Sequence, residues 1–241
     1  MSIATIRANN KIIQKLKVFV QEPMLVKIAL IIVGGLSRPS KMPGYGWSIP
    51  ASLCKRGSLL RKIKGSVCHN CYACKGRYLF DRVKECLHNR LNKFYDPMWV
   101  NAMIRLTRDK SYFRWFDSGD LQSVEMLEKI CMVCENSPNC KHWLPTREYA
   151  IIKQFLKKGN KIPSNLCIRL SADMVNEYPK HSFEGIPFST VSTNLNTFKH
   201  NKYPKVLNCG VTVNKNIKKC KELNCTACWD NKVKHINYLK H

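Results

Sequence analysis

The sequence predicts an α/β fold on a parallel sheet, in the form of a partial or irregular β/α barrel, TIM-like in outline and carrying Cys-rich loops. Three observations predict it. From about residue 92, short β-rich runs alternate with helical stretches of about 10–15 residues, the pattern of right-handed βαβ units. Several of those runs end on Asp, Ser, Thr or Arg, residues suited to the carboxyl-end face of a parallel barrel. The chain has 241 residues, 44% hydrophobic and 10% aromatic, which is enough to build one barrel-sized core.

The elements follow in order. MLVKIALIIVGG (24–35) is the most hydrophobic run, yet it contains Lys27 and falls short of the roughly 20 apolar residues of a membrane span. It reads as a buried strand. DPMWVNAMIRLTRD (96–109) reads as a helix and SYFRWF (111–116) as a strand that breaks at Asp117-Ser118-Gly119-Asp120. LQSVEMLEKICMVCEN (121–136) has apolar residues at helical spacing, with Ser118 or Asp120 available as its cap. HWLPT (142–146) is a strand and the stretch from Arg147 a third helix; LCIRLSA (166–172), PFSTVST (187–193) and VLNCGVTV (206–213) complete the strand series. The later connections are short and rich in Pro and Asn, so the expected barrel is partial. We read one unit across 1–241: a basic N-terminal segment and buried strand (1–40), a barrel with the first cysteine loop (41–205), and a C-terminal four-cysteine segment (206–241).

Charges interrupt the opening MSIATIRANNKIIQKLKVFVQEP, and no small-residue cleavage site follows, so neither export nor a membrane partner is expected. In a reducing cytoplasm thirteen cysteines stay reduced, and clustered thiols bind metal more often than they form disulfides. Two sets stand out: Cys54, Cys68, Cys71 and Cys74, and then Cys209, Cys220, Cys225 and Cys228, with ten, four and two residues between consecutive members of the second. Four thiolates that include a CxxC pair hold zinc or a cubane iron–sulfur cluster, and ligand count does not separate the two. Three thiolates leave the fourth iron of a cubane open to a cofactor or substrate. One or two iron–sulfur clusters of the [4Fe–4S] type are therefore expected, with zinc as the alternative. In the first set either Cys71 or Cys74 is spare. Cys86, Cys131, Cys134, Cys140 and Cys167 lie in helical or strand contexts and read as packed thiols.

Asp117, Ser118, Asp120, Thr146, Arg147, Ser171 and Asp173 all fall just after strand-like runs and are expected to gather at the active face. Of these, Asp117, Ser118, Asp120 and Arg147 are the catalytic candidates; the alternative is that DSGD and PTRE are helix caps. Tyr72, Lys75 and Arg77, in the cysteine loop, are candidates for binding a cofactor or phosphate, although Tyr72 and Tyr78 also read as packing around the loop. Forty-one Lys and Arg against sixteen acidic residues give a net charge of +25, a field that draws polyanions. Nucleic acid is the expected partner, and a solvated lysine-rich surface the alternative. The sequence lacks a phosphate-binding GxxxxGK[ST], a GxSxG elbow, an HExxH pair and a zinc-finger His pair.

PGYGWSIPA (43–51), Cys54, CHNCYACKGRY (68–78), DSGD (117–120), WLPTRE (143–148) and CxxxxCxxCW (220–229) together resemble, in this order, the phage gene-product-eighty-eight-like proteins. Those look like distant relatives of radical-SAM-type barrels with a CxxCYA cluster loop. The resemblance implies that Cys54, Cys68 and Cys71 bind the first cluster with Cys74 outside it. It also implies that the terminal four cysteines hold a second cluster and that the chain works in a host cytoplasm. Radical-SAM enzymes usually carry CxxxCxxC, whereas thirteen residues separate Cys54 from Cys68 here, so S-adenosylmethionine stays an open choice of cofactor.

Overall fold

A computed structural model describes residues 24–198 and 205–240. The β-rich runs line up side by side. Among the described residues, β1 (Tyr45–Trp47), β2 (Tyr112–Trp115), β3 (Lys141–Thr146), β4 (Leu166–Ser171), β5 (Phe188–Ser192), β6 (Val206–Asn208) and β7 (His235–Leu239) form one sheet. Their order is β1-β2-β3-β4-β5-β7-β6 and every pairing is parallel. The sheet is open, with the three-residue strands β1 and β6 at its edges. It is a mixed α/β fold in the form of a partial barrel.

The helices are α1 (Val26–Val33), α2 (Lys55–Leu60), α3 (Asp81–Lys93), α4 (Trp99–Thr107), α5 (Val124–Glu135), α6 (Tyr149–Lys157) and α7 (Gly210–Val213). The apolar stripe of α5, made by Met126, Leu127, Ile130 and Cys134, packs with Ile152 and Phe155 of α6 and with one phase of the strands: Phe113 and Trp115, Leu144, Ile168 and Leu170. Successive strand residues point to opposite faces. The other phase therefore lines the opposite side, where the Arg114 guanidinium lies 4.6 Å from the centroid of the Trp143 ring. Strand β4 is buried along its whole length, as the middle of a parallel sheet requires.

Three sequence expectations are corrected. Residues 24–35 hold a helix, α1, not a buried strand. A short continuous apolar run carries no period that separates the two. Here Ala29 and Val33, four apart, share the buried face, and the Val33 carbonyl accepts the Trp47 indole N–H at 3.0 Å. Residues 206–213 are a strand only as far as Asn208; the backbone then turns into α7 at Cys209. The cap of α5 is Ser123, whose Oγ accepts the Met126 N–H at 3.1 Å, so Ser118 and Asp120 are left for other work. Residues 1–23 of the expected N-terminal segment lie outside the described residues. No helix of the described residues is long and apolar enough to cross a membrane.

Candidate metal centre

The first cysteine loop leaves the end of β1 and folds back over the carboxyl ends of β2, β3 and β4. Two turn hydrogen bonds, Cys71 N–H to Cys68 O at 3.2 Å and Cys74 N–H to Cys71 O at 3.1 Å, keep consecutive cysteines within one turn of each other. Cys54 precedes α2, and Gly57 of that helix lies beside two of the thiols. A Cβ at Gly57 would lie 3.7 Å from the sulfurs of both Cys54 and Cys68, and 2.9 Å from Cys54 Cβ. The missing side chain therefore leaves the space between two thiols clear.

Burial pushes the Cys54 thiol well above its ordinary value, and Asp120, Cys71 and Cys68 add to the effect. Cys68 is raised by burial against the opposing pull of Arg147. Burial raises Cys71 too, with Cys74 and Cys68 contributing. Cys74 is engaged differently, since Arg61 Nη1 donates to its sulfur at 3.0 Å.

A network of carboxylates and cations fixes this loop to the sheet. Arg56, two residues after Cys54, donates from Nε to both oxygens of Asp173 at 3.1 and 3.0 Å and pairs with it again through Nη2. Its backbone N–H donates to Glu148 Oε1 at 2.9 Å. The Asp173 carbonyl accepts the Val67 N–H at 2.8 Å, one residue before Cys68. Asp120 is buried and fully engaged: it accepts the Leu121 N–H at 2.8 Å, the Thr146 hydroxyl at 2.6 Å and the Arg147 N–H at 2.9 Å. Burial nonetheless lifts its carboxyl to about 6, against those bonds. Arg147 Nε donates to Ala172 O at 3.0 Å. Asp117 accepts from Ser48 Oγ and, at 3.1 Å, from the Tyr78 hydroxyl, while its carbonyl accepts from Tyr72.

The strand-end residues thus gather at one face, Asp120 with Thr146 and Arg147, and Arg147 with the backbone beside Ser171 and Asp173. Asp117 and Asp120 serve as posts of the loop, with their oxygens taken up by the protein. Ser118 Oγ is buried without a partner among the described residues. Thr146 Oγ1 accepts the Glu148 N–H at 3.0 Å in the turn before α6 and donates to Asp120; the helix cap itself is Glu148, not Thr146. Lys75 Nζ donates to Asn70 Oδ1 at 3.0 Å and Arg77 is exposed.

The second set lies at the other edge. Cys209 follows β6 directly, the Cys225 N–H donates to Cys220 O at 3.0 Å, and Cys228 Sγ is 3.3 Å from the Tyr238 hydroxyl. Burial pushes Cys228 up to about 12 and raises Cys220, the latter helped by Cys209 and Cys225. Trp229 roots the segment: its indole donates to Phe113 O at 2.8 Å and its ring sits 5.2 Å from Trp143. The fully buried Arg169 holds the same turn through the carbonyls of Ala227, Asp230 and Val233, at 3.3, 3.2 and 2.9 Å.

Sequence reasoning passed over Arg56, Arg61, Glu148, Arg114 and Arg169. The position of Arg56 beside Cys54 was its one visible signal. All thirteen cysteines are free thiols, and Cys131, Cys134, Cys140 and Cys167 are buried in the protein interior. Soft thiol donors suit zinc and iron–sulfur clusters alike. Among the described residues no three His, Cys, Asp or Glu side chains are drawn tightly enough together to hold a single metal ion.

An open parallel sheet with two thiol groups at its strand ends defines a cysteine-rich α/β protein of the partial-barrel class. Residues 6–236 match a family model described as Gene product 88. The chain belongs to that phage gene-product family. No curated protein and no solved structure matches it.

Proposed function

We propose that this is a phage iron–sulfur protein of the host cytoplasm, distantly radical-SAM-like, which acts on or near nucleic acid. The observation that carries the reading is the approach of Cys54 and Cys68 to the gap at Gly57, with Cys71 one turn beyond Cys68, on the face where parallel barrels do their chemistry. Cys74 lies against the Cys71 thiol and is held by Arg61; the family resemblance, which takes Cys54, Cys68 and Cys71 as ligands, leaves it as the spare thiol. A cubane on three thiolates would supply one open iron to a small ligand, S-adenosylmethionine being the candidate. Arg56, Asp173 and Glu148 fix the ligand-bearing turn; Asp120 and the Thr146 hydroxyl set the course of the chain at Arg147; Arg147 places positive charge beside Cys68. Cys209, Cys220, Cys225 and Cys228 would bind a second, closed cluster that pins β6 and β7.

One observation favours a second reading, a non-catalytic protein stapled by zinc or clusters and binding nucleic acid. The carboxylate oxygens of Asp117 and Asp120 are committed to Ser48, Tyr78, Thr146 and backbone N–H groups, which leaves these acids positioning roles. The test is anaerobic purification with iron, sulfide and zinc measured per chain, followed by EPR and Mössbauer spectroscopy. Iron and sulfide in cubane proportion, with an EPR signal altered by S-adenosylmethionine, support the first reading. Colourless protein holding zinc alone refutes it.

A further inference from the structure

The turns that carry Cys71 and Cys74 also present a surface the thiol chemistry does not use. Tyr72 and Phe80 are 59% and 62% exposed, although the hydroxyl end of Tyr72 is buried beside Arg114 and Asp117. The Tyr72 ring is not free to swing, because its hydroxyl donates to Asp117 O and its edge meets Tyr78 at 6.0 Å between centroids. A ring fixed at its buried tip and more than half exposed is a preorganised stacking platform. Along the chain around the rings, residues 54–84 carry nine Lys and Arg, of which Arg56 is paired with Asp173, and one acid, Asp81, which Lys84 engages at 3.0 Å; the Asp117 carboxylate lies behind the rings, bonded to Tyr78. Arg77 and Arg82 are exposed and have no carboxylate partner among the described residues.

We infer that residues 72–82 form a track for a single-stranded polynucleotide, with bases stacked on Tyr72 and Phe80 and phosphates met by Lys75, Arg77 and Arg82. Exposed cations alone would serve any polyanion; aromatic faces interleaved with them select one that has flat bases to stack. A duplex keeps its bases stacked on each other and offers these rings nothing. Phosphates and base faces are common to DNA and RNA, so both kinds of strand bind. Tyr72 lies between Cys71 and Cys74, so a strand on this track passes over the first thiol group. The inference rests on the proposed function for its purpose, not for the binding itself.

The test is fluorescence anisotropy of the full chain, purified anaerobically, with labelled oligo-dT, oligo-rU and a mixed-sequence duplex across a salt series. Oligo-dT and oligo-rU bind within a few-fold of each other and more tightly than the duplex. Phe80→Leu, which keeps apolar bulk but loses the flat ring, weakens oligo-dT about ten-fold. The Lys75→Ala/Arg77→Ala pair lowers the slope of log K against log salt by about 1.4, at about 0.7 per phosphate contact. Lys157→Ala/Lys161→Ala removes the same charge at the other end of the sheet and leaves the slope at its wild-type value. Equal losses from the two pairs, preference for duplex, or an unaffected Phe80→Leu variant overturns the track. Iron and sulfide are counted on the same samples, so colourless protein that binds oligo-dT refutes the iron–sulfur reading and leaves the track standing. Fully clustered protein that ignores the strand does the reverse.

Discussion

Replacing Gly57 by Ala separates the thiol site from the scaffold that carries it. In a helix interior the exchange is worth about 1 kcal/mol in favour of Ala. The added methyl, however, would lie 2.9 Å from Cys54 Cβ, where ordinary Cβ contacts begin at 3.4 Å, so Cys54 or its helix must yield by about half an ångström. Such overpacking costs about 1–3 kcal/mol, which leaves a net loss of up to about 2 kcal/mol. In a chain of this size that lowers Tm by at most about 8 °C. A half-ångström displacement is large for a metal ligand, however, since coordination distances tolerate only about 0.2 Å. The expected outcome is a metal-free protein that melts within that range of wild type and takes up less than half the iron and sulfide of the first group. Cys54→Ser serves as the reference for full loss of that ligand. Wild-type iron and sulfide in Gly57→Ala would falsify the assignment of Cys54 and Cys68 as co-ligands. A collapse of the metal-free protein would show instead that the glycine serves folding.

Other expectations follow from the same contacts. Arg56→Ala strands the buried Asp173 carboxylate; breaking a fully buried pair costs about 3–5 kcal/mol, and because the guanidinium is a third exposed we expect about 2 kcal/mol by urea unfolding, with Asp173→Asn/Arg56→Ala recovering part of it. Burial lowers His142 to about 3 and His235 to about 4, so both are neutral in the fold and their contribution is complete above the unfolded value near 6.5. That stability is lost as pH falls from 6.5 towards 4 for His235 and towards 3 for His142, by about 1.4 kcal/mol per unit for each ring, and His142→Gln should flatten the acid limb by that amount. Cys225→Ser/Cys228→Ser should remove one site's metal, leave the other filled, and open the 206–240 segment to proteolysis ahead of the sheet.

The middle of the fold was legible because its elements have distinct periods. Strand β2 alternates Phe113 and Trp115 with Tyr112 and Arg114, and α5 repeats its apolar residues three and four apart. The ends were not. Strand β1 is too short to show alternation, α1 has no polar face to reveal its turn, and α3 between Asp81 and Lys93 has few apolar residues to mark a buried side. Convergence of Asp120, Thr146 and Arg147 was foreseeable, since parallel strands deliver their carboxyl ends to one face. That Asp173 would take Arg56 was not, because a charged side chain's partner, 117 residues away, is set by the finished fold.

Arg114 shows what the two thiol groups have in common. It lies on the face of β2 away from the helical core, and its Nε is buried without a partner among the described residues. Burial works against its charge, yet Tyr72 and Asp117 on the side of the first group, and Tyr238 on the side of the second, hold the guanidinium ionised. Its charge also reaches Cys220. Burial alone would keep neighbouring thiols neutral and poor as ligands. An arginine's charge works the other way at each group, Arg147 at Cys68 and, as a lesser effect, Arg114 at Cys220. The basic residues of this chain therefore divide by depth. Lysines and arginines on the surface set the long-range field, while the half-buried Arg114 and Arg147 make it less costly to gather anionic sulfur inside a low-dielectric fold.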